Sequence, residues 1–128
     1  LIAHVVLFQP RRDLSAAARS AFAASFERAL TSIPQVRRAR VGERKNLGRL
    51  YDQMNARDFP YVAIIEFDSE VDLRAYLDHP AHDELGKCFY ESAEAALVYD
   101  FALSEGEDVT RLFVQVPDTR SQGPGNTS

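Results

Sequence analysis

From Leu1 to Phe8 the chain is apolar at nearly every position, and Pro10 stops the run, which predicts a β-strand covered on both faces. Ile2, His4, Val6 and Phe8 share one face of it, and Leu1, Ala3, Val5 and Leu7 the other. The period then lengthens. Phe22, Phe26, Ala29, Leu30 and Ile33 recur at helical spacing between an N-cap at Ser15 and Pro34, which ends the first long helix. Val36 to Gly42 alternates again, with Val36, Arg38 and Arg40 opposed to Arg37, Ala39 and Val41, a half-exposed strand suited to a sheet edge.

Residues 43–60 have no clear period, although Leu47, Leu50, Tyr51 and Met54 would suit an amphipathic pair of turns, and the stretch reads as a long loop, either an entrance or a surface excursion. Tyr61 to Phe67 is the clearest central strand, apolar on both sides. Ser69 and Asp72 open a helix carrying Val71, Leu73, Tyr76 and Leu77, which stops before Pro80. Pro80 then starts a second helix, predicted to run to about Ala95 with Leu85, Cys88, Phe89 and Ala93 on its buried side. Leu97 to Leu103 is a further apolar strand in which Asp100 shares a face with Val98 and Ala102, so its carboxylate requires a partner. After the Glu105–Asp108 turn, residues 111–116 have the composition of a fifth strand, added at a sheet edge or across a dimer. Residues 117–128, rich in Gly, Pro, Ser and Asn, read as a flexible tail.

This order is βαββαβ, which predicts an α+β, ferredoxin-like domain over residues 1–104, with one antiparallel sheet, helices on one side, and an extension over residues 105–128. The opposite sheet face is left bare. Each Val or Ile kept in water there forfeits about 1.5–3 kcal/mol, so a homodimer whose two sheets face each other, a dimeric α/β barrel, is the expected assembly.

Composition narrows the setting. With 128 residues, 45% of them hydrophobic, the chain suits one domain with one core. A single cysteine, Cys88, allows no internal disulfide and suits a reducing, cytoplasmic compartment. The opening run carries His4, lacks a basic start and leads into Pro10-Arg11-Arg12, unlike a signal peptide. No stretch approaches the roughly 20 apolar residues of a membrane helix, so no membrane partner is expected. Between Arg37 and Arg57, seven basic residues face two acids, a net +5 in a chain of net −4. The acidic remainder and the lack of interleaved aromatics speak against nucleic acid, leaving a solvated strand face or a site for an anionic small molecule that Arg38 and Arg40 would serve.

The most distinctive stretch is Tyr76-Leu77-Asp78-His79-Pro80-Ala81-His82, which holds two of the three histidines. His79, before proline, is pushed out of helical geometry into a capping position, while His82 falls on the first turn of the next helix. A zinc site needs three or four ligands, and no further His or Cys cluster supplies them, so no metal and no cofactor is expected. As an acid–base set, His82 with the Tyr76 phenol and Asp100 to orient the imidazole is workable. The bland alternative is a core histidine hydrogen-bonded to Asp100, with Tyr76 as packing. His4, on an otherwise apolar face, is open to the same two readings.

The opening Ile2-Ala3-His4-Val5-Val6-Leu7-Phe8, the Ile33-Pro34-x-Val36 turn, the Tyr76-x-x-His79-Pro80-Ala81-His82 motif and the closing Tyr99-Asp100-Phe101 together resemble the stress-responsive A/B-barrel (Dabb) family, over about residues 2–103. That resemblance implies a cofactor-independent homodimer. By similarity to a plant polyketide cyclase of the family, it implies that Tyr76 and His82 are catalytic, that Asp100 holds the histidine, and that His4 lies in the pocket. Val6, Phe8, Phe22 and Phe26 would then line an apolar pocket between helix and sheet. The family is functionally mixed. An acid–base cyclase or lyase of a keto compound, a non-catalytic small-molecule-binding or stress-response dimer, and a cofactor-free monooxygenase are the readings it leaves open.

Overall fold

The computed structural model describes residues 1–114, and in it the opening apolar run becomes β1 (Ile2–Pro10), on which the sheet is assembled. The other elements are α1 (Ala16–Ser32), β2 (Arg38–Glu43), α2 (Leu50–Met54), β3 (Tyr61–Phe67), α3 (Glu70–Leu77), α4 (Pro80–Ser92), β4 (Ala93–Ala102), a 3₁₀ turn (Gly106–Asp108) and α5 (Val109–Val114). The strands lie in the order β2-β3-β1-β4, all neighbours antiparallel, so the two doubly apolar strands are central and the arginine-bearing β2 is an edge, as their patterns predict. This is the expected α+β, ferredoxin-like arrangement.

Register assigns the faces. His4 lies opposite Ile65 on β3 and Asp100 on β4, and Val6 lies opposite Ala63 and Val98, so these side chains share the face that the helices cover. Val6, Phe8, Ala63, Ile65 and Phe67 from the sheet pack with Phe22, Ala29 and Ile33 of the α1 region, Leu73 and Tyr76 of α3, and Leu85 of α4 to form the core. On the opposite face Leu97, Tyr99 and Phe101 of β4 are each 41–51% exposed, beside half-covered Val5 and Leu7. One layer of helices covers one face of this sheet and leaves the other apolar and wet.

Local chemistry sets the element ends. The Ser15 and Ser69 hydroxyls accept from the backbone N–H groups of Ala18 and Asp72, which caps α1 and α3. His79 breaks the second helical stretch: its Nδ1 accepts the Ala81 N–H at 3.0 Å, Pro80 occupies the first helical position, and α4 starts anew. Ala29 has no exposed surface on α1, whose helix packs along α4. An Ala29→Leu substitution is therefore expected to overpack the core and cost about 1–3 kcal/mol. A chemical-denaturation midpoint that stayed unchanged would show this face to be slack.

Several sequence expectations are corrected. The 43–60 stretch is not all loop: Leu50–Met54 is helical, because the Asp52 carboxylate accepts the backbone N–H groups of Leu47 and Arg49 and gathers the chain into a turn. The second helix ends at Ser92, not near Ala95, and β4 begins at Ala93, since pairing of Ala93 to Ala96 with Pro10 to Phe8 outweighs alanine's helical preference. The fifth strand expected over residues 111–116 is not formed: residues 109–114 are helical, with no strand beside them to pair with, and residues 115 and 116 lie outside the described residues, as does the expected tail over residues 117–128. Among the described residues no helix is long and apolar enough to cross a membrane.

Candidate active site

Three elements converge under the covered sheet face. β1 supplies His4, the last turn of α3 supplies Tyr76, and the first turn of α4 supplies His82. Tyr76 and His82 meet because the helix breaks between them: the His79 cap and Pro80 turn the chain so that the two rings stand edge to face, with centroids 4.8 Å apart. Tyr76 also packs against Phe67 at 5.0 Å and His4 at 5.9 Å, and it is only 1% exposed. His4, Tyr76 and His82 line a chamber of about 230 Å³ whose other walls are Val6, Phe26, Ile65, Leu77, Leu85, Gly86, Phe89 and Val98.

Burial gives the two central groups different chemistry. It pushes the Tyr76 phenol up to about 12, so the hydroxyl stays protonated and able to donate across the whole neutral range. His82 is lowered from the ordinary histidine value, first by burial and then by charge on His4; nearby Asp83 and Asp78 and the Leu77 backbone oppose this but do not reverse it. It is therefore a neutral imidazole, free to accept a proton, at neutral pH.

Asp100 takes a different partner from the one expected. Its Oδ1 accepts from His4 Nδ1 at 2.5 Å, across the β1–β4 ladder where the two residues stand directly opposite, and no bond joins it to His82. The carboxylate orients His4, and His4 in turn faces the Tyr76 ring. Asp100 sits at the wet rim, with its side chain 44% exposed against 7% for His4.

The expected pocket residues divide between two spaces. His4 and Val6 belong to the chamber, Phe8 and Phe22 to a larger cleft of about 870 Å³ between α1 and β2, and Phe26 to both. The larger space is not where the titratable groups meet; its walls are aromatic and aliphatic, with Arg19, Arg37 and Arg38 at the rim. Ile65 and Val98 also line the chamber, and their placement opposite His4 and Val6 follows from the ladder register, which no local pattern carries. Leu85 and Phe89, whose helical spacing marks them as core, also wall the chamber.

Much of the basic stretch is committed to ion pairs: Arg37 with Asp68 at 2.7 Å, Arg40 with Glu66 at 2.9 Å, and Arg44 with Asp52 and Asp58. Arg38 has no such partner among the described residues. Among those residues no three His, Cys, Asp or Glu side chains cluster closely enough to hold a metal ion.

Against this geometry, the family model for the stress responsive A/B barrel domain matches residues 2–103. The chain belongs to this family. No curated protein matches the chain. Among solved structures, this A/B-barrel chain is similar to a dimeric protein of unknown function with a ferredoxin-like fold from Bacteroides fragilis, 26% identical, with TM-score 0.56 over 80% of this chain and 95% of that one. It is also similar to the hydroxynitrile lyase of Passiflora edulis, 20% identical, with TM-score 0.67 over 81% and 94%. A third is SnoaB, a cofactor-independent oxygenase from Streptomyces nogalater, 16% identical, with TM-score 0.58 over 81% and 93%. At such identities the last two carry the A/B-barrel fold alone to this chain.

Proposed function

We propose that this A/B-barrel chain is one protomer of a homodimer and a cofactor-independent acid–base enzyme acting on a keto compound, by proton abstraction and aldol-type closure or its lyase reverse. The observation that carries the reading is the pairing, in one small chamber, of a phenol that stays protonated with an imidazole that stays neutral. His82 takes an α-proton, and the C–H electron pair passes into the enolate. The enolate carbon bonds to a second carbonyl carbon of the same substrate, and the oxygen of that carbonyl, held by the Tyr76 O–H, collects the charge and then a proton returned from His82. Asp100 and His4 act one step back: the carboxylate holds His4, and His4 adds to the burial that keeps His82 below the ordinary histidine value. A poly-β-keto thioester or acid is the substrate class that such a base can deprotonate.

The homodimer part of this reading draws on the bare apolar face of β4 and on a similar structure that is described as dimeric. Because His82 must be neutral to act, the acid limb of the pH profile of kcat/KM is expected below the ordinary histidine value of 6.5. A limb at or above that value would remove His82 from the role of base.

A second reading, a dimer that binds an apolar molecule without altering it, is favoured by one observation: Asp100 is spent on His4, so His82 lacks a carboxylate to orient it. Turnover of β-keto thioesters by the wild-type protein and its loss on replacing His82 would decide for the enzyme. Binding without turnover would decide for the second reading.

A further inference from the structure

Ring closure uses one imidazole and one phenol, and it leaves a second imidazole in the same chamber without a step of its own. That imidazole is His4. Its Nδ1 is held by the Asp100 carboxylate at 2.5 Å, and its Nε2 makes no hydrogen bond among the described residues. No fully buried side-chain nitrogen or oxygen among those residues lacks a partner, so Nε2 is not sealed in the core. It opens on free space, and the space that His4 lines is the chamber. The Tyr76 hydroxyl, likewise without a bond, opens there too.

A carboxylate–imidazole pair is not needed to hold this ladder together. Two residues along the same face Val6 stands opposite Val98, and that apolar pair joins the same two strands without desolvating a charge. What the polar pair adds is chemistry. A carboxylate on Nδ1 fixes the tautomer of the ring and offsets positive charge on it, which leaves Nε2 as the atom that takes or gives a proton. His4 reaches the chamber from the sheet and His82 from the helical layer, with the Tyr76 ring against both. Two proton-transfer groups on different walls suit an elimination, in which one proton leaves carbon while another reaches the departing oxygen.

We propose that His4, backed by Asp100, is a second catalytic residue, the acid that expels the newly formed hydroxyl group as water once aldol closure is complete. This rests on the acid–base reading above. It also narrows the substrate class, since the attacking carbon must carry two α-protons, as the methylene between two carbonyls of a poly-β-keto chain does. His82, neutral again after closure, removes the second of these protons. The C–H electron pair becomes the C=C bond, and the C–O bond breaks with its pair going to oxygen. That oxygen takes the Nε2 proton of the His4 imidazolium and leaves as water, while Nδ1 stays on Asp100. The proton on His82 then returns to His4 Nε2 through the released water, so the protein ends as it began and the product is a conjugated cyclic enone.

The test follows the products of a poly-β-keto thioester by mass spectrometry, in reactions of the full chain quenched early, before a hydroxyketone loses water unaided. The wild type is expected to yield the dehydrated ring. His4→Gln keeps a polar side chain but has no proton-transfer nitrogen, and it is expected to raise the ratio of hydroxyketone to dehydrated ring about a hundredfold. Asp100→Asn removes charge at the wet rim, where the side chain is 44% exposed and the fold tolerates the change, and should raise that ratio about tenfold or more. A wild-type product that keeps its hydroxyl, or a ratio unmoved in His4→Gln, overturns the proposal and leaves the closure chemistry standing. If His4→Gln does not fold, an unmoved ratio in Asp100→Asn overturns it instead. A wild type that closes no ring overturns the acid–base reading and this step with it.

Discussion

Replacing His82 with alanine is expected to lower turnover of a β-keto thioester by about two to four orders of magnitude, the usual contribution of a positioned general base. The fold, and with it the proposed dimer, should survive. His82 sits on the first, solvent-reaching turn of α4 and is half-buried, and the cap that starts that helix is made by His79, not by His82. Initial rates across a panel of β-keto thioesters, with circular dichroism and sedimentation on the same samples, separate the two effects. Turnover equal to wild type in the alanine variant would sink the acid–base reading outright. His82→Gln is the stricter comparison, since it keeps a polar group in the chamber but cannot accept the proton as a base.

The second large effect divides Tyr76 into its ring and its hydroxyl. Tyr76→Ala removes a side chain packed against Phe67, His4 and His82 at the centre of the core and is expected to destabilise the domain by about 3–5 kcal/mol. That is a large part of a small domain's total stability, and the thermal midpoint should drop by about 12–20 °C, at roughly 4 °C per kcal/mol for a chain of this size. Tyr76→Phe keeps the ring. Its stability should stay close to wild type, while turnover falls about a hundredfold or more for loss of the donor to the carbonyl oxygen. If the phenylalanine variant kept full turnover, the hydroxyl would be no more than a passenger of the packing, and the electrophilic role would pass to another group.

The framework was readable because two strands carry apolar residues on both faces. Ile2–Phe8 and Tyr61–Phe67 cannot be edges, and they stand at the centre of the sheet. The His79-Pro80 break was equally plain, since proline forbids the helix from continuing and the preceding residue must cap. Other features depend on contacts that the local sequence does not encode. Residues 109–114 have strand-like composition, yet without a neighbouring strand they coil. The alanines at 93–96 look helical until β1 is laid beside them.

The same distinction runs through the site. Tyr76 and His82 are close in sequence, and a single broken helix brings their rings together. Asp100 bonds His4 and not the His82 that the sequence suggests, because His4, 96 residues away, is set opposite it by the strand ladder. Reading Asp100 correctly required knowing that β1 and β4 pair with His4 opposite it, a fact of topology and register that no local pattern carries.

That pairing makes the strand ladder a proofreading device. If β4 zipped onto β1 one residue out of step, every side chain of β4 would change sides, and the carboxylate of Asp100 would emerge among Leu7, Val5 and Ala3 on the opposite surface, leaving His4 alone in the dark. A misaligned chain thus sets a carboxylate on an apolar surface and leaves a buried imidazole without its partner, two penalties for one error. The polar pair therefore favours one alignment of the closing strand, and the alignment that closes the sheet also seats the histidine.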